Sequence, residues 1–367
     1  MNRRTVLAAM AATAAMPRMA FAADGDNVAP AAHALYEKSF VYEGNGFPPV
    51  QDKFPFPPGM IAMTKNCGVN AIKCSLGGFN DSFEDTMAEL AFFARIIEEY
   101  PDLYMQVRRH SDFAECKKSG RMGILYSFEQ VTALDGKVER IELFRDLGVR
   151  VMQLSYNKES PFGTGVLGDP KGRLTDLGKK AVEAMNTQGV ALDLSHSNEA
   201  TAMDAAAAST KPVLITHAGC KAIHDHPRNK SDAMLRTIAD KNGVVGIYDL
   251  CYLTASPKQP TLDDYMAHMT HALKICGEDH VGIGSDSSIA PWDTSPESLA
   301  AFQKDEDNRH KAGVAAPEED RPNYVIGLNT PRRCEVIADA LLKRGYKASA
   351  AEKVLGANSV SAFERIW

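Results

Sequence analysis

Short runs of aliphatic and β-branched residues recur along this chain, separated by longer stretches in which apolar positions return every three or four residues. The runs predict strands at 39–43 (SFVYE), 70–75 (NAIKCS), 122–127 (MGILYS) and 149–155 (VRVMQLS). Four more fall at 190–195 (VALDLS), 212–216 (PVLIT), 243–247 (GVVGI) and 280–285 (HVGIGS). Helical periodicity lies between them, over 83–99, 137–147, 175–188, 232–241 and 261–276. Continuously apolar strands alternating with helices imply a parallel sheet covered on both faces. Eight such strands predict an α/β chain closed as a (β/α)8 barrel of the TIM type. A doubly wound open sheet is the main rival, but no Gly-x-Gly-x-x-Gly turn follows the first strand.

Two segments fall outside this alternation. Residues 1–22 have a basic start (Arg3, Arg4), an apolar run from Val6 to Met16 and a small-x-small site at Ala20-Phe21-Ala22. That is the pattern of a cleaved export signal, and the run is too short to span a bilayer. The paired arginines point to the twin-arginine route and a periplasmic or secreted protein. Residues 23–367 are then expected to form a single barrel domain with a long polar loop at 287–330. Leaving from the catalytic end of a barrel, that loop suits a lid or a subunit contact, with Trp292 and Tyr324 as its aromatic contacts.

Composition narrows the partners. A formal net charge of −6 gives no electrostatic reason to expect nucleic acid. Seven cysteines are scattered without a Cys-x-x-Cys pair, which argues against a zinc knuckle and leaves at least one thiol unpaired within the chain.

The candidate chemistry stands at the strand ends, where barrels of this kind place their catalytic residues. Glu129, Tyr156, His196, His217 and Asp286 follow the third, fourth, fifth, sixth and eighth predicted strands. Two imidazoles and two carboxylates at matching places suit zinc or another borderline divalent ion. Such an ion activates water for hydrolysis, and a neighbouring carboxylate moves the proton.

At this point the chain resembles the membrane (renal) dipeptidase family of metallopeptidases. The carriers are DLGVRVMQLSYN, GRLTDLGKKAVEAMNTQGVALDLSHSN, KPVLITHAGCKAIHDHPRN, NGVVGIY, DHVGIGSD and a closing LGANSVSAFERI. The resemblance implies a (β/α)8 barrel that hydrolyses dipeptides and related short amides with two zinc ions, and a homodimer. By motif, Glu129 would bridge both metals, and His196 and His217 would hold one. Asp286 would sit at the other and serve as acid/base, while Arg228 would grip the substrate's terminal carboxylate.

Two positions depart from the family. Its first strand normally ends in a His-x-Asp pair, which here falls on Gly44 and Gly46 in VYEGNGFPP; Glu43 is the nearest replacement ligand. The histidine usual after the fourth strand is Tyr156, whose hydroxyl could still polarise a carbonyl or which could serve as an aromatic wall. These changes imply one zinc, or two if another group substitutes, and a dipeptide or peptide-like amide as substrate. They leave open a related non-peptidase reaction, such as an elimination or isomerisation, and a binding-only relative.

Overall fold

In the computed structural model, residues 28–77, 81–313 and 315–367 are described; the expected export signal at 1–22 lies outside them. The described residues form eleven strands in chain order. They are β1 (Tyr42–Glu43), β2 (Gly46–Phe47), β3 (Ala71–Ser75), β4 (Tyr104–Gln106), β5 (Met122–Phe128), β6 (Val149–Met152), β7 (Ala191–Asp193), β8 (Val213–Ala218), β9 (Val244–Ile247), β10 (Val281–Ile283) and β11 (Ser287–Ser288). Eight lie side by side in the order β1-β3-β5-β6-β7-β8-β9-β10, every pair parallel. The ends of this sheet meet where the Gly44 amide donates to the Ile283 carbonyl at 2.8 Å. Each of the eight overlaps a strand expected from the apolar runs, and the nearly closed parallel barrel is the architecture those runs predict.

Helices follow the strands and cover the outside. The helix Phe83–Glu99 begins at a reciprocal capping box between Ser82 and Asp85 and buries Leu90, Phe93 and Ile96. The helix Asp176–Gln188 starts at the Thr175 cap and stops at Gly189, whose φ of 65° lies in the left-handed region. Among the described residues no helix is long and apolar enough to cross a membrane. All seven cysteines are buried and unpaired.

Alternation along the strands layers the interior. Ala71, Leu125, Val151, Ala191, Leu214 and Val244 belong to one apolar cluster with Phe113, Phe363 and Ile366, so the C-terminal helix Asn358–Ile366 seals the barrel floor. Two residues further along β3 and β7 stand Lys73 and Asp193, both fully buried and polar. The same step from Val151 and Leu214 reaches Gln153 and Thr216. The barrel is thus apolar below and polar toward its carboxyl end.

The segment 287–330, expected as a long polar loop, carries regular structure of its own. It opens with β11, which pairs with β2, and carries the helix Pro296–Lys311. That helix buries only Ser298 and Glu306, so no apolar stripe marks it. Its legible signal is the start: Ser295 caps the first turn and Pro296 follows. Trp292 and Tyr324 stack on each other, with centroids 6.0 Å apart.

Candidate metal centre

Three strand ends bring the candidate ligands together. Glu129 directly follows β5, and its amide is held by the Ser75 hydroxyl at the end of β3. His196 lies in the turn after β7, where the Gln153 side-chain oxygen accepts from its amide. His217 is part of β8, where the Ser195 hydroxyl accepts from its amide. The two Nε2 atoms lie 3.0 Å apart, and Glu129 Oε2 is 3.9 Å from that of His196. Glu129, His196 and His217 can offer one ligand atom each within a common span of 4.8 Å.

The partners of the opposite ring nitrogens assign the tautomers. His196 Nδ1 faces the Asn157 side-chain oxygen at 2.8 Å, so it carries the proton and donates. His217 Nδ1 faces Thr216 Oγ1 at 2.9 Å, and that hydroxyl spends its own proton on Asp193 Oδ2 at 2.6 Å. His217 is therefore the donor there. Burial, reinforced by the positive charge of Arg228, lowers both imidazoles well below their ordinary pKa and keeps them neutral. Each then turns a bare Nε2 lone pair toward the other, an arrangement that repels unless a cation lies between them. Zinc binds imidazole nitrogen at about 2.0–2.1 Å, so nitrogens at this separation can share one ion. The donor set fits a divalent metal, and the partners behind each imidazole are those expected of metal-binding histidines.

The first-strand side of the barrel mouth is built differently. Gly44 and Gly46 sit at the seam, and a Cβ at Gly44 would lie 2.6 Å from the Ile283 carbonyl oxygen. At Gly46 it would lie 2.8 Å from that of Ser287, so side chains there would force the seam apart. Glu43 is fully buried, but its Oε1 accepts from the Ser285 amide at 2.6 Å, beside the buried Arg333–Asp249 ion pair. It stands outside the ligand group, and burial raises its pKa to about 7. Asn45 fills the gap instead. Its Nδ2 donates to Glu129 Oε1 and to Asp286 Oδ1, both at 2.7 Å. Its Oδ1 accepts from Lys73 Nζ at 2.6 Å. The ammonium also lies 3.8 Å from both Glu129 Oε1 and Asp193 Oδ2.

The remaining candidates surround the triad. Asp286 joins Glu129 through Asn45 and is not part of the three-ligand group. Its backbone takes a φ of 59°, and burial, then the charge of Glu129, raises its pKa well above the usual carboxylate range. The Tyr156 ring stacks on His196 with centroids 4.1 Å apart, and burial pushes its hydroxyl up to about 12. Arg228 is buried; Nη1 donates to the Ser195 carbonyl at 2.6 Å, while Nη2 is buried without a partner. Near Arg228, His224 bonds Glu318 and His226 bonds the Pro317 carbonyl, which fastens the segment after Pro296–Lys311 over this loop. His268 is structural, set between the Cys220 amide and the Leu253 carbonyl.

Sequence reasoning missed Asn45, Lys73, Asn157 and Asp193. Lys73 and Asp193 carried a usable signal, since each is a charge inside an otherwise apolar strand run, and a buried charge needs partners. Asn45 carried none, because asparagine between two glycines reads as an ordinary turn.

Comparison with known proteins places the chain in a family. The profile of the membrane dipeptidase family (peptidase family M19) matches residues 60–298. Dipeptidase tcpJ of Claviceps purpurea is 25% identical over 78% of this chain, which spans 60% of that protein's length. An uncharacterized protein in the pqqA 5' region of Klebsiella pneumoniae is 31% identical over 70% of this chain and 87% of its own. The crystal structure of an amidohydrolase from Pseudomonas aeruginosa superposes with a TM-score of 0.80 at 28% identity, over 92% of this chain and 99% of that one. With the profile covering well over half of its length, the chain belongs to the membrane dipeptidase family of hydrolases.

Proposed function

We propose that this chain is an exported, metal-dependent hydrolase that cleaves a dipeptide or a small peptide-like amide with a single zinc ion held by Glu129, His196 and His217. The observation that carries the reading is the pair of neutral imidazoles whose Nε2 atoms face each other at 3.0 Å with Glu129 beside them. A divalent ion there supplies Lewis acidity, bringing the pKa of water from ~16 to ~7.

The chain's own groups do the rest. Asn157 and the Thr216–Asp193 pair fix both rings in the ligating tautomer. Asp286, linked to Glu129 through Asn45, has a raised pKa and can hold a proton for the leaving amine. Tyr156 keeps its phenolic proton and can donate it in a hydrogen bond to a developing oxyanion. The unpartnered Nη2 of Arg228 is the donor for a substrate carboxylate, since an unused guanidinium edge in a buried position calls for an anion. One observation favours a second reading, a non-peptidase reaction such as an elimination: Asn45 and Lys73 occupy the side where the family's first-strand ligands would act.

The test is hydrolysis of a panel of dipeptides by the purified protein before and after chelation. Turnover that disappears on chelation and returns with zinc supports the proposal. Turnover indifferent to chelation overturns it, and so does metal binding without cleavage of any amide.

A further inference from the structure

We propose that Lys73 and Asn45 stand in for a second metal ion, so that this centre accepts one divalent cation and excludes another. The inference rests on the reading that Glu129, His196 and His217 hold an ion, and it concerns the opposite side of Glu129.

Glu129 and Asp286 present two carboxylates to a common point, and such a point inside a barrel attracts a cation. Here it is filled by the Asn45 amide nitrogen, 2.7 Å from an oxygen of each. That amide has two N–H bonds and uses both. Its oxygen is in turn fixed by the Lys73 ammonium at 2.6 Å. The ammonium is wholly buried, and its other charged neighbours are Glu129 and Asp193, each at 3.8 Å. A fixed positive charge therefore sits behind Asn45, facing the carboxylates a second ion would need.

The backbone reinforces this. Gly44 and Gly46 offer no ligand, and the Ile283 and Ser287 carbonyl oxygens crowd the space that side chains there would need. To bind between Glu129 and Asp286, an ion would have to break three hydrogen bonds of Asn45. It would also have to sit close to a buried ammonium, and like charges at short range in a poorly solvated interior repel strongly. Lys73 and Asn45 are thus positioning residues: they hold Glu129 and Asp286 in place by hydrogen bonds and charge.

The experiment is a zinc titration by calorimetry, with metal per chain from elemental analysis, on the wild type, Lys73→Arg and the double variant Asn45→Asp/Lys73→Met. Thermal melts establish that each is folded. The wild type and Lys73→Arg are expected to bind one ion, and the double variant, which exchanges an amide for a carboxylate and removes the ammonium, to bind two. A second ion in the wild type overturns the proposal while leaving the triad intact. A folded double variant that still binds one ion overturns the role given to these two residues. Should the double variant not fold, Asn45→Asp/Lys73→Gln, which also removes the ammonium but keeps a polar end on the buried stem, is read the same way. A wild type that binds no zinc at all sinks the triad, and this inference with it.

Discussion

The two sides of the barrel mouth handle charge in opposite ways. On the β7–β8 side, His196 and His217 are neutral and face each other with unshared lone pairs, each ring fixed from behind by Asn157 or Thr216. On the β1–β3 side both side-chain polar atoms of Asn45 are engaged, and a lysine supplies the positive charge. Glu129 touches both sides: Oε1 accepts from Asn45, and Oε2 faces His196. In the proposed reading an ion completes the first side, while the second is complete without one. On that reading, a half-buried carboxylate pair at this position is kept without metal ligands because a fixed cation and an amide take up the charge.

The sharpest way to break this contrast is to remove what completes the histidine side. Chelation, or His217→Ala, is expected to cut amide turnover on the order of 10³-fold or more, because water loses the activation that carries its pKa from ~16 to ~7. Zinc should restore the chelated wild type and fail to restore the variant. Tyr156→Phe should lower kcat by roughly 10²-fold with little change in KM, the signature of a lost oxyanion donor. An unchanged kcat would make the ring a wall for His196. Asn157→Ala frees the His196 ring and should weaken zinc affinity by about 10–100-fold, read by competition with a chromophoric chelator.

The last test concerns stability and the seam. Glu43 keeps its proton in the folded state up to about pH 7, above its ordinary pKa of 4.5. The folded protein therefore binds more protons than the unfolded chain across that window, and stability falls as pH rises from about 4.5 to about 7. The full shift corresponds to about 3 kcal/mol, since each pKa unit is worth about 1.4 kcal/mol. Glu43→Gln should flatten that part of the profile of urea midpoint against pH. An unchanged profile would show that another group carries the dependence.

Much of this architecture was readable because its causes are local. All eight barrel strands are apolar runs, and the helix Phe83–Glu99 shows both its periodicity and its capping box. His196 and His217 were legible because each follows or ends such a run at the catalytic face. The short strands β2, β4 and β11 were not, since two or three residues carry no period and they form only where the fold brings them together. The helix Pro296–Lys311 was hidden by its polarity. The roles of Asn45 and Lys73 were hidden for a different reason. They depend on strands meeting inside a nearly closed barrel, and nothing adjacent in sequence announces that Lys73 will lie 2.6 Å from an asparagine 28 positions earlier.

One ion is expected to complete the histidine side and none to enter the other. A crystal grown with excess zinc, with an anomalous difference map recorded at the zinc edge, tests it most directly. The map is expected to hold a single peak bounded by Glu129, His196 and His217, with Asn45 still bridging Glu129 and Asp286. A peak between Glu129 and Asp286, or none at the two histidines, would contradict it.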